Sequence, residues 1–390
     1  GRPAEAGSYT TAFGRVADRL ERQVAELKRV RRQAREDLRE LVALAPAARL
    51  RRIVNSRTRF RSRALAELLL EESRERVRND PRLAAELAEL VPHVLLWTPG
   101  AVEQDWAREL DLLARARRGN ALRVAGDLHA ADRGFAALHQ RTDCPLPPET
   151  AAELASLEAS LRLDQRRFDD ADALLDKAAR LFRKAGVEEG LARVLVQRGI
   201  LHRHAGRLPE AGRALDEAMQ LLDPEHQTHL FLCAAGTLVL CLCESGELTA
   251  AHRMLRAQSA LFEKVMDDWW ALRLRVIEGR VLLALGDSSA AVRRFAEARE
   301  GYLARGAFLD AAVTCLDLAL AYLALGQTTE LKQLAAESAP VFRSVALQRE
   351  ALAAVRLFQQ AAAAEHLTAA AVCHLRDVLE HARGQTPPAS

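Results

Sequence analysis

The sequence predicts an all-α chain in which helical hairpins stack into an α-solenoid. Alanine and leucine dominate, only 5% of the chain is aromatic, and 49% is hydrophobic. That composition favours helices over strands. One column of residues also recurs every forty positions, at Gly126, Arg166, Gly206, Gly246, Gly286 and Gly326. A fixed period of this size is typical of stacked repeats, in which each unit buries its apolar face against its neighbours.

Other columns keep the same forty-residue step around this turn column. Small or apolar residues lie seven positions before it, at Gly119, Ala159, Gly199, Val239, Gly279 and Ala319. Alanine lies five positions after it in five units, at Ala131, Ala171, Ala211, Ala251 and Ala291, with Leu331 in the sixth. Each unit is therefore predicted to be two helices joined at a left-handed turn, which glycine favours. The small columns let the two helices pack closely.

The N-terminal region follows a different pattern. Residues 1–9 are predicted to be frayed, and a long helix is predicted from Thr10 to Leu44. Apolar or small residues recur along it at alternating spacings of four and three, interrupted by Arg31, which indicates a heptad seam. The seam residues are Phe13, Ala17, Leu20, Val24, Leu27, Ala34, Leu38 and Leu41. Two interpretations remain open: the helix lies across the first repeat, or it forms a short coiled-coil dimer.

Two unusual segments follow this helix, one rich in arginine and one that begins at a proline. Residues 47–63 are rich in arginine and lack acidic residues, and Pro92–Val102 reads as an irregular insertion. The predicted organisation is a long helix with a basic connector over 1–62, a degenerate first repeat with an insertion over 63–104, seven repeats over 105–383 and a disordered tail over 384–390.

The repeat columns resemble the tetratricopeptide repeat. That motif has a small residue in the first helix, glycine near the turn, and alanine, leucine or an aromatic residue, then alanine in the second helix. Gly199, Gly206, Ala211, Leu215 and Ala218 follow this order. The period is forty instead of the usual thirty-four or so. The resemblance implies a right-handed superhelix, and longer repeats of this kind resemble those of bacterial regulators that receive a peptide or a partner protein.

The resemblance implies that a ligand lies in a concave groove lined by the first helices. The residues predicted to face this groove are Arg117, Asn120, Arg123, Arg193, Gln197, Arg203, His204, Arg273 and Arg280. A row of arginines suits an acidic peptide or a terminal carboxylate, because the guanidinium fork matches carboxylate geometry. The carboxylate clamp of some tetratricopeptide domains is not present in its usual form, since Ala116 and Leu157 stand at two of its positions. The alternative is an ordinary solvated face in an arginine-rich protein.

No motif in the sequence points to catalysis. The nucleophile-elbow, phosphate-loop and zinc-protease patterns are missing from the sequence. The pair His226 and His229 lies in a short connection without an obvious third ligand. We therefore expect a chain that is not an enzyme and that needs no cofactor and no metal.

The charge of the chain limits the kinds of partner that we expect, and its cysteines indicate its location. The formal net charge is +3, which argues for no particular partner. From Lys28 to Arg63 there are 13 basic and three acidic residues, but Phe60 is the only aromatic residue there, so we do not expect nucleic-acid binding through this chain alone. Six scattered cysteines and the lack of a membrane-length apolar run indicate a cytoplasmic protein.

These observations lead to two hypotheses for function. The first is a non-enzymatic scaffold whose groove binds a protein or a peptide. Whether this scaffold forms a homodimer through the N-terminal helix is left open by the sequence. The second is the sensor or dimerisation part of a bacterial transcriptional or signalling regulator. Because the sequence begins Gly1-Arg2-Pro3, its effector domain is expected to precede this chain.

Overall fold

A computed structural model describes residues 4–56, 59–77, 80–96, 101–141, 145–264, 268–344 and 367–382. Within these ranges all regular secondary structure is helical, which confirms the predicted all-α fold. By internal contacts the chain divides into two units, and each is described separately. The boundary between them lies within a helix, at Arg118 and Gly119.

The first unit comprises residues 1–77 and 82–118. Its helices are α1 (Ala4–Ala43), α2 (Pro46–Val54), α3 (Arg63–Arg76), α4 (Pro81–Leu95) and the greater part of α5 (Ala101–Val124). The C-terminal part of α1 packs on α3 and α2. Ala34 and Leu41 are buried on that side, so the apolar seam supplies part of the core of this unit.

Helix ends in the first unit differ from those predicted at three places. Helix α1 begins at Ala4, ahead of the predicted Thr10, and the basic connector contains α2. Helix α4 continues through Pro92 to Leu95, so the irregular segment is shorter than predicted. Proline costs a helix one hydrogen bond, and the burial of Val91 and Val94 on either side offsets that loss.

The second unit contains the regular hairpins. Its further helices are α6 (Leu128–His139), α7 (Pro148–Asp164), α8 (Phe168–Ala185), α9 (Glu188–His204), α10 (Leu208–Leu221), α11 (Thr228–Glu244), α12 (Leu248–Lys264), α13 (Asp268–Ala284), α14 (Ser288–Ala304), α15 (Phe308–Leu325), α16 (Thr328–Ser344) and α17 (Ala369–Ala382). The predicted seventh repeat lies partly outside the described residues, and the predicted tail lies outside them entirely. The domain boundaries therefore stay a prediction.

The predicted columns account for the packing of each hairpin. All six turn-column residues have a positive φ, including Arg166 at 59°. The alanine column is fully buried, and Phe135, Leu215 and Phe295 of the second helices are buried opposite the small column. A Cβ atom on Gly199 would lie 2.5 Å from Cγ of Leu215, and one on Gly279 would lie 2.5 Å from Cε1 of Phe295. The glycines thus allow the close approach of the two helices.

Candidate functional site

The first helices of successive hairpins lie side by side. Helix α7 contacts α9, α9 contacts α11, α11 contacts α13, and α13 contacts α15. On α7, α9, α11 and α13, the side chains three and six residues before the turn column are half-buried. They are Ser160, Leu163, Ile200, Arg203, Leu240, Cys243, Arg280 and Leu283. Residues thirteen before the turn column lie on the same face of each helix. We call these three positions on α7, α9, α11 and α13 the first-helix surface. Of the predicted groove residues, Arg193, Arg203, Arg273 and Arg280 lie at these positions.

Ion pairs cross from one first helix to the next. Nη1 of Arg123 lies 2.6 Å from Oδ2 of Asp164, and Nη2 of Arg203 lies 2.6 Å from Oε1 of Glu244. Both pairs join the residue three before one turn column to the residue two before the next. Since the hairpins share one geometry, the same offset brings these charges together twice.

A neutral hydrogen-bond network makes a similar connection between α7 and α9. The Oγ atom of Ser156 donates to Oε1 of Gln197 over 2.7 Å, and Nε2 of Gln197 donates to Oγ of Ser160 over 3.3 Å. Gln197 therefore uses both its acceptor and its donor within the protein. Polar groups that are removed from water need such partners.

A buried carboxylate connects three helices further along. Asp317 of α15 has no exposed surface. Its Oδ2 atom lies 2.8 Å from Nη2 of Arg280 on α13, and its Oδ1 atom lies 3.1 Å from Nη1 of Arg376 on α17. A buried charge is tolerated only when it is paired and hydrogen-bonded, and here two guanidinium groups fulfil that condition.

The remaining predicted groove residues occupy varied environments. Arg117 lies in the first unit and donates to the carbonyl of Leu70, so it does not belong to the first-helix surface. Asn120 accepts a hydrogen bond from Nε of Arg123. Exposed Arg193 pairs with Glu189 on its own helix at 2.5 Å, and the guanidinium of Arg273 lies 5.4 Å from the centroid of the Trp270 ring. Their role in binding stays a prediction.

The predicted arginines have acidic partners that were not predicted. These partners are Asp164, Glu244 and Asp317, and the pattern of groove residues alone paired none of them with an arginine. The signal was present in the sequence, since Arg123 and Asp164, like Arg203 and Glu244, are separated by one repeat plus one residue. An arginine and an acid one period apart, in adjacent columns, indicate a bond between neighbouring first helices.

A cavity of about 630 Å³ lies at the turns that follow α7 and α9. It is lined by Arg166, Arg167, Phe168, Asp169, Asp170, His204, Ala205 and Arg207. Arg167 pairs with Asp170 at 2.6 Å, so charges of both signs lie side by side. The predicted groove residue His204 therefore borders this cavity.

The titratable groups near the first-helix surface give little support for a nucleophile or a metal centre. Burial raises the pKa of the Cys241 and Cys243 thiols to about 11, which keeps them protonated at neutral pH. His226 contacts Asp223, and the ring of His229 stacks against Trp270. Among the described residues, no group of three or more histidine, cysteine or acidic side chains is arranged to hold a metal ion.

The basic segment of the first unit is partly neutralised within that unit. Buried Arg49 donates to the carbonyls of Leu41 and Val42 and pairs with Glu86. Arg59 pairs with Asp37 at 2.7 Å, and Arg52 with Glu40 at 2.6 Å. Several of the positive charges that could attract a polyanion thus form ion pairs within the first unit. The prediction against nucleic-acid binding is untested.

No helix in the described part of the chain is both long enough and apolar enough to cross a membrane.

Comparison with known proteins places the fold. No protein-family model and no curated protein matches the chain. A Rap protein complexed with competence and sporulation factor superposes with a TM-score of 0.61 at 12% identity, over 82% of this chain and 87% of that one. Aspartyl phosphate phosphatase F from Bacillus subtilis gives 0.52 at 13% identity, over 72% and 70%. NprR in complex with its cognate peptide NprX gives 0.50 at 15% identity, over 75% and 82%.

The chain therefore has a tetratricopeptide-like helical-repeat fold, as its columns predicted. In particular, its described helices have the fold of the Rap and NprR structures. At identities this low the similarity concerns the fold alone.

Proposed function

We propose that this protein binds an extended peptide across its first-helix surface and thereby serves a regulatory role. The observation that carries the proposal is that two structures of the same fold contain a bound factor or peptide. A Rap protein was solved with competence and sporulation factor, and NprR with its cognate peptide NprX. These similarities extend over 82% and 75% of the present chain, so they include most of the hairpins.

The chemistry of the first-helix surface supports a particular kind of peptide. At the middle of the surface, α11 offers the half-buried and uncharged side chains of Cys233, Leu240 and Cys243. The flanking helices α9 and α13 carry Arg193 and Arg273, which make no bond to a neighbouring first helix in the contacts described above. A peptide with apolar residues at its centre and carboxylates on either side would match this pattern.

We propose further that the protein acts by binding and not by catalysis, although one protein of the same fold is named an aspartyl phosphate phosphatase. The acids at the first-helix surface, Asp164, Glu244 and Asp317, are engaged with arginines, and the neighbouring thiols are held protonated.

The five cysteines of the described residues are free, which supports the cytoplasmic location that we propose.

The test is selection from an immobilised library of short random peptides. Wild-type protein is expected to retain peptides that have an apolar centre and acidic flanks. Replacing both Arg193 and Arg273 by glutamate should weaken binding of a selected peptide roughly tenfold. Exposed pairs contribute only about 0.2–1 kcal/mol each, but reversal also adds repulsion. Binding of the wild type should weaken with added salt.

The matched control reverses two exposed arginines of the second helices, Arg180 and Arg213, which pair only with acids of their own helix. The control should bind like the wild type. If the control loses binding while the Arg193 and Arg273 variant retains it, the ligand lies elsewhere and the proposal is wrong. Arg203 and Arg49 are unsuitable for this test, because Arg203 pairs with Glu244 of α11 and Arg49 is buried.

A second candidate function is that of the sensor and dimerisation part of a bacterial regulator. The observation in its favour is the exposure of two seam residues on α1, Val24 at 48% and Leu27 at 61%. Apolar residues at heptad spacing that remain in water are typical of a helix that pairs with another helix.

A further inference from the structure

Helix α15 differs from the other first helices in how completely it is buried. The side chain six residues before the turn column is half-buried on the four preceding first helices, at Ser160, Ile200, Leu240 and Arg280. The equivalent Leu320 of α15 is only 9% exposed. Thirteen residues before the column, Arg193 is exposed whereas Val313 is 5% exposed. A face that is open on other first helices is thus covered on α15.

Helix α17 covers this face. Its main packing partner among the described helices is α15. Val372, Leu375 and Leu379 are buried, and their spacing of three and four residues places them on one stripe of the helix. They belong to the same apolar cluster as Val313, Leu316 and Leu320 of α15.

One ion pair accompanies the apolar contact. Arg376 follows Leu375 directly and extends its Nη1 atom to Oδ1 of Asp317, at 3.1 Å. Asp317 occupies the column in which Gln197 of α9 makes its hydrogen bonds to α7. A buried carboxylate in this place favours a helix that brings a positive charge to it, and disfavours a helix that brings a negative one.

We propose that Val313, Leu316, Asp317 and Leu320 form a docking site for an amphipathic helix, which we call the α15 seat. The helix it accepts has an apolar stripe at positions i, i+3 and i+7 and an arginine at i+4. Helix α17 occupies the seat within the same chain. An amphipathic helix of another protein that has this stripe and this arginine would compete with it, in the manner of helix-in-groove recognition. The seat does not depend on the peptide-binding function proposed above.

The test uses the full chain and a fluorescent synthetic peptide with the sequence of residues 367–382, in which serine replaces Cys373. Leu379→Asp should release α17, because it places an unpaired charge against α15. The peptide is expected to bind this variant saturably and to bind the wild type at least tenfold more weakly. In the wild type the attached helix competes at an effective concentration on the order of millimolar.

A second peptide carrying Arg376→Glu serves as the specificity control. It retains the apolar stripe but brings a carboxylate to Asp317, so it should bind the Leu379→Asp variant at least tenfold more weakly than the first peptide. Equal binding of the two peptides would contradict recognition by Asp317. Failure of both to bind a variant that keeps its helical circular dichroism would contradict the seat itself.

If Leu379→Asp does not fold, Arg376→Gln in the full chain replaces it. This variant leaves the apolar stripe intact and Asp317 still paired with Arg280. Hydrogen exchange is expected to quicken over residues 369–382 while the hairpins from α7 to α14 keep their protection. Unchanged exchange over α17 would overturn the proposal, because the ion pair would then contribute nothing to docking.

Discussion

At Arg166 a bulky side chain occupies a backbone conformation that the other repeats assign to glycine. Its φ is 59°, close to the values of 67° to 89° at the five turn-column glycines. The amide of Arg166 donates to the carbonyl of Leu163, and the amide of Arg167 donates to that of Arg162. These hydrogen bonds close α7 in the same way as in the other hairpins. The turn is therefore set by the stacking of the hairpins and not by the residue type.

This conformation predicts a stabilising substitution. Left-handed backbone destabilises the folded state by about 1–2 kcal/mol for a non-glycine residue. Glycine removes this cost but destabilises the protein by about 0.4–1 kcal/mol, because it increases the entropy of the unfolded chain. Arg166→Gly should therefore raise the free energy of unfolding by about 0.5–1 kcal/mol, measured by denaturant titration. Arg167→Gly, at a position with φ of −86°, should lower it. A lower midpoint for Arg166→Gly than for the wild type would contradict this account.

Within each hairpin the sequence predicted the packing well, because glycine and alanine columns report close contact directly. Gly199 against Leu215 is the clearest instance. The bonds between hairpins were not predicted. Whether Arg203 is available to a ligand or pairs with Glu244 depends on the offset between two first helices, and a period of forty residues does not specify that offset. The arginines therefore looked free in the sequence.

Two glycines in adjacent helices give a matched test of the hairpin contact. Gly199→Ala should lower the free energy of unfolding by roughly 1–3 kcal/mol, because its Cβ atom would lie 2.5 Å from Cγ of Leu215. Gly212→Ala should be neutral or stabilising by up to about 1 kcal/mol, since its Cβ atom would meet only Cδ1 of Leu238 at 3.9 Å. Thermal and denaturant melts of both variants provide the comparison. Similar effects at the two sites would refute the column assignment.

For the whole molecule, the exposed seam of α1 bears on the state of assembly. The sequence left open whether this helix lies on the first repeat or pairs with a second copy. The structure shows that Ala34 and Leu41 pack within the unit while Val24 and Leu27 stay exposed. A helix can serve both purposes with different parts of its seam. The sequence could not separate the two parts, because the same heptad spacing continues through both.

The seam predicts a concentration-dependent dimer of the full chain in sedimentation velocity. Replacing Val24 and Leu27 together by glutamate should yield a monomer with unchanged helical content, because charges would then occupy the buried positions of a coiled coil. Glutamate at Arg22 and Ala25, which are exposed and lie on the side of the helix away from the seam, should leave the dimer in place. A wild type that sediments as a monomer at every concentration would rule out pairing through α1.

The cover that α17 provides over α15 also has a consequence for solubility. Without it, Val313, Leu316 and Leu320 would form an apolar strip in water on the last complete hairpin of the described array. Exposed strips of this kind associate with whatever apolar surface they meet, including other copies of the same chain. Such contacts need not close, and an open series of them grows into filaments. A short amphipathic helix at this position therefore removes from water a strip that would otherwise favour association between copies.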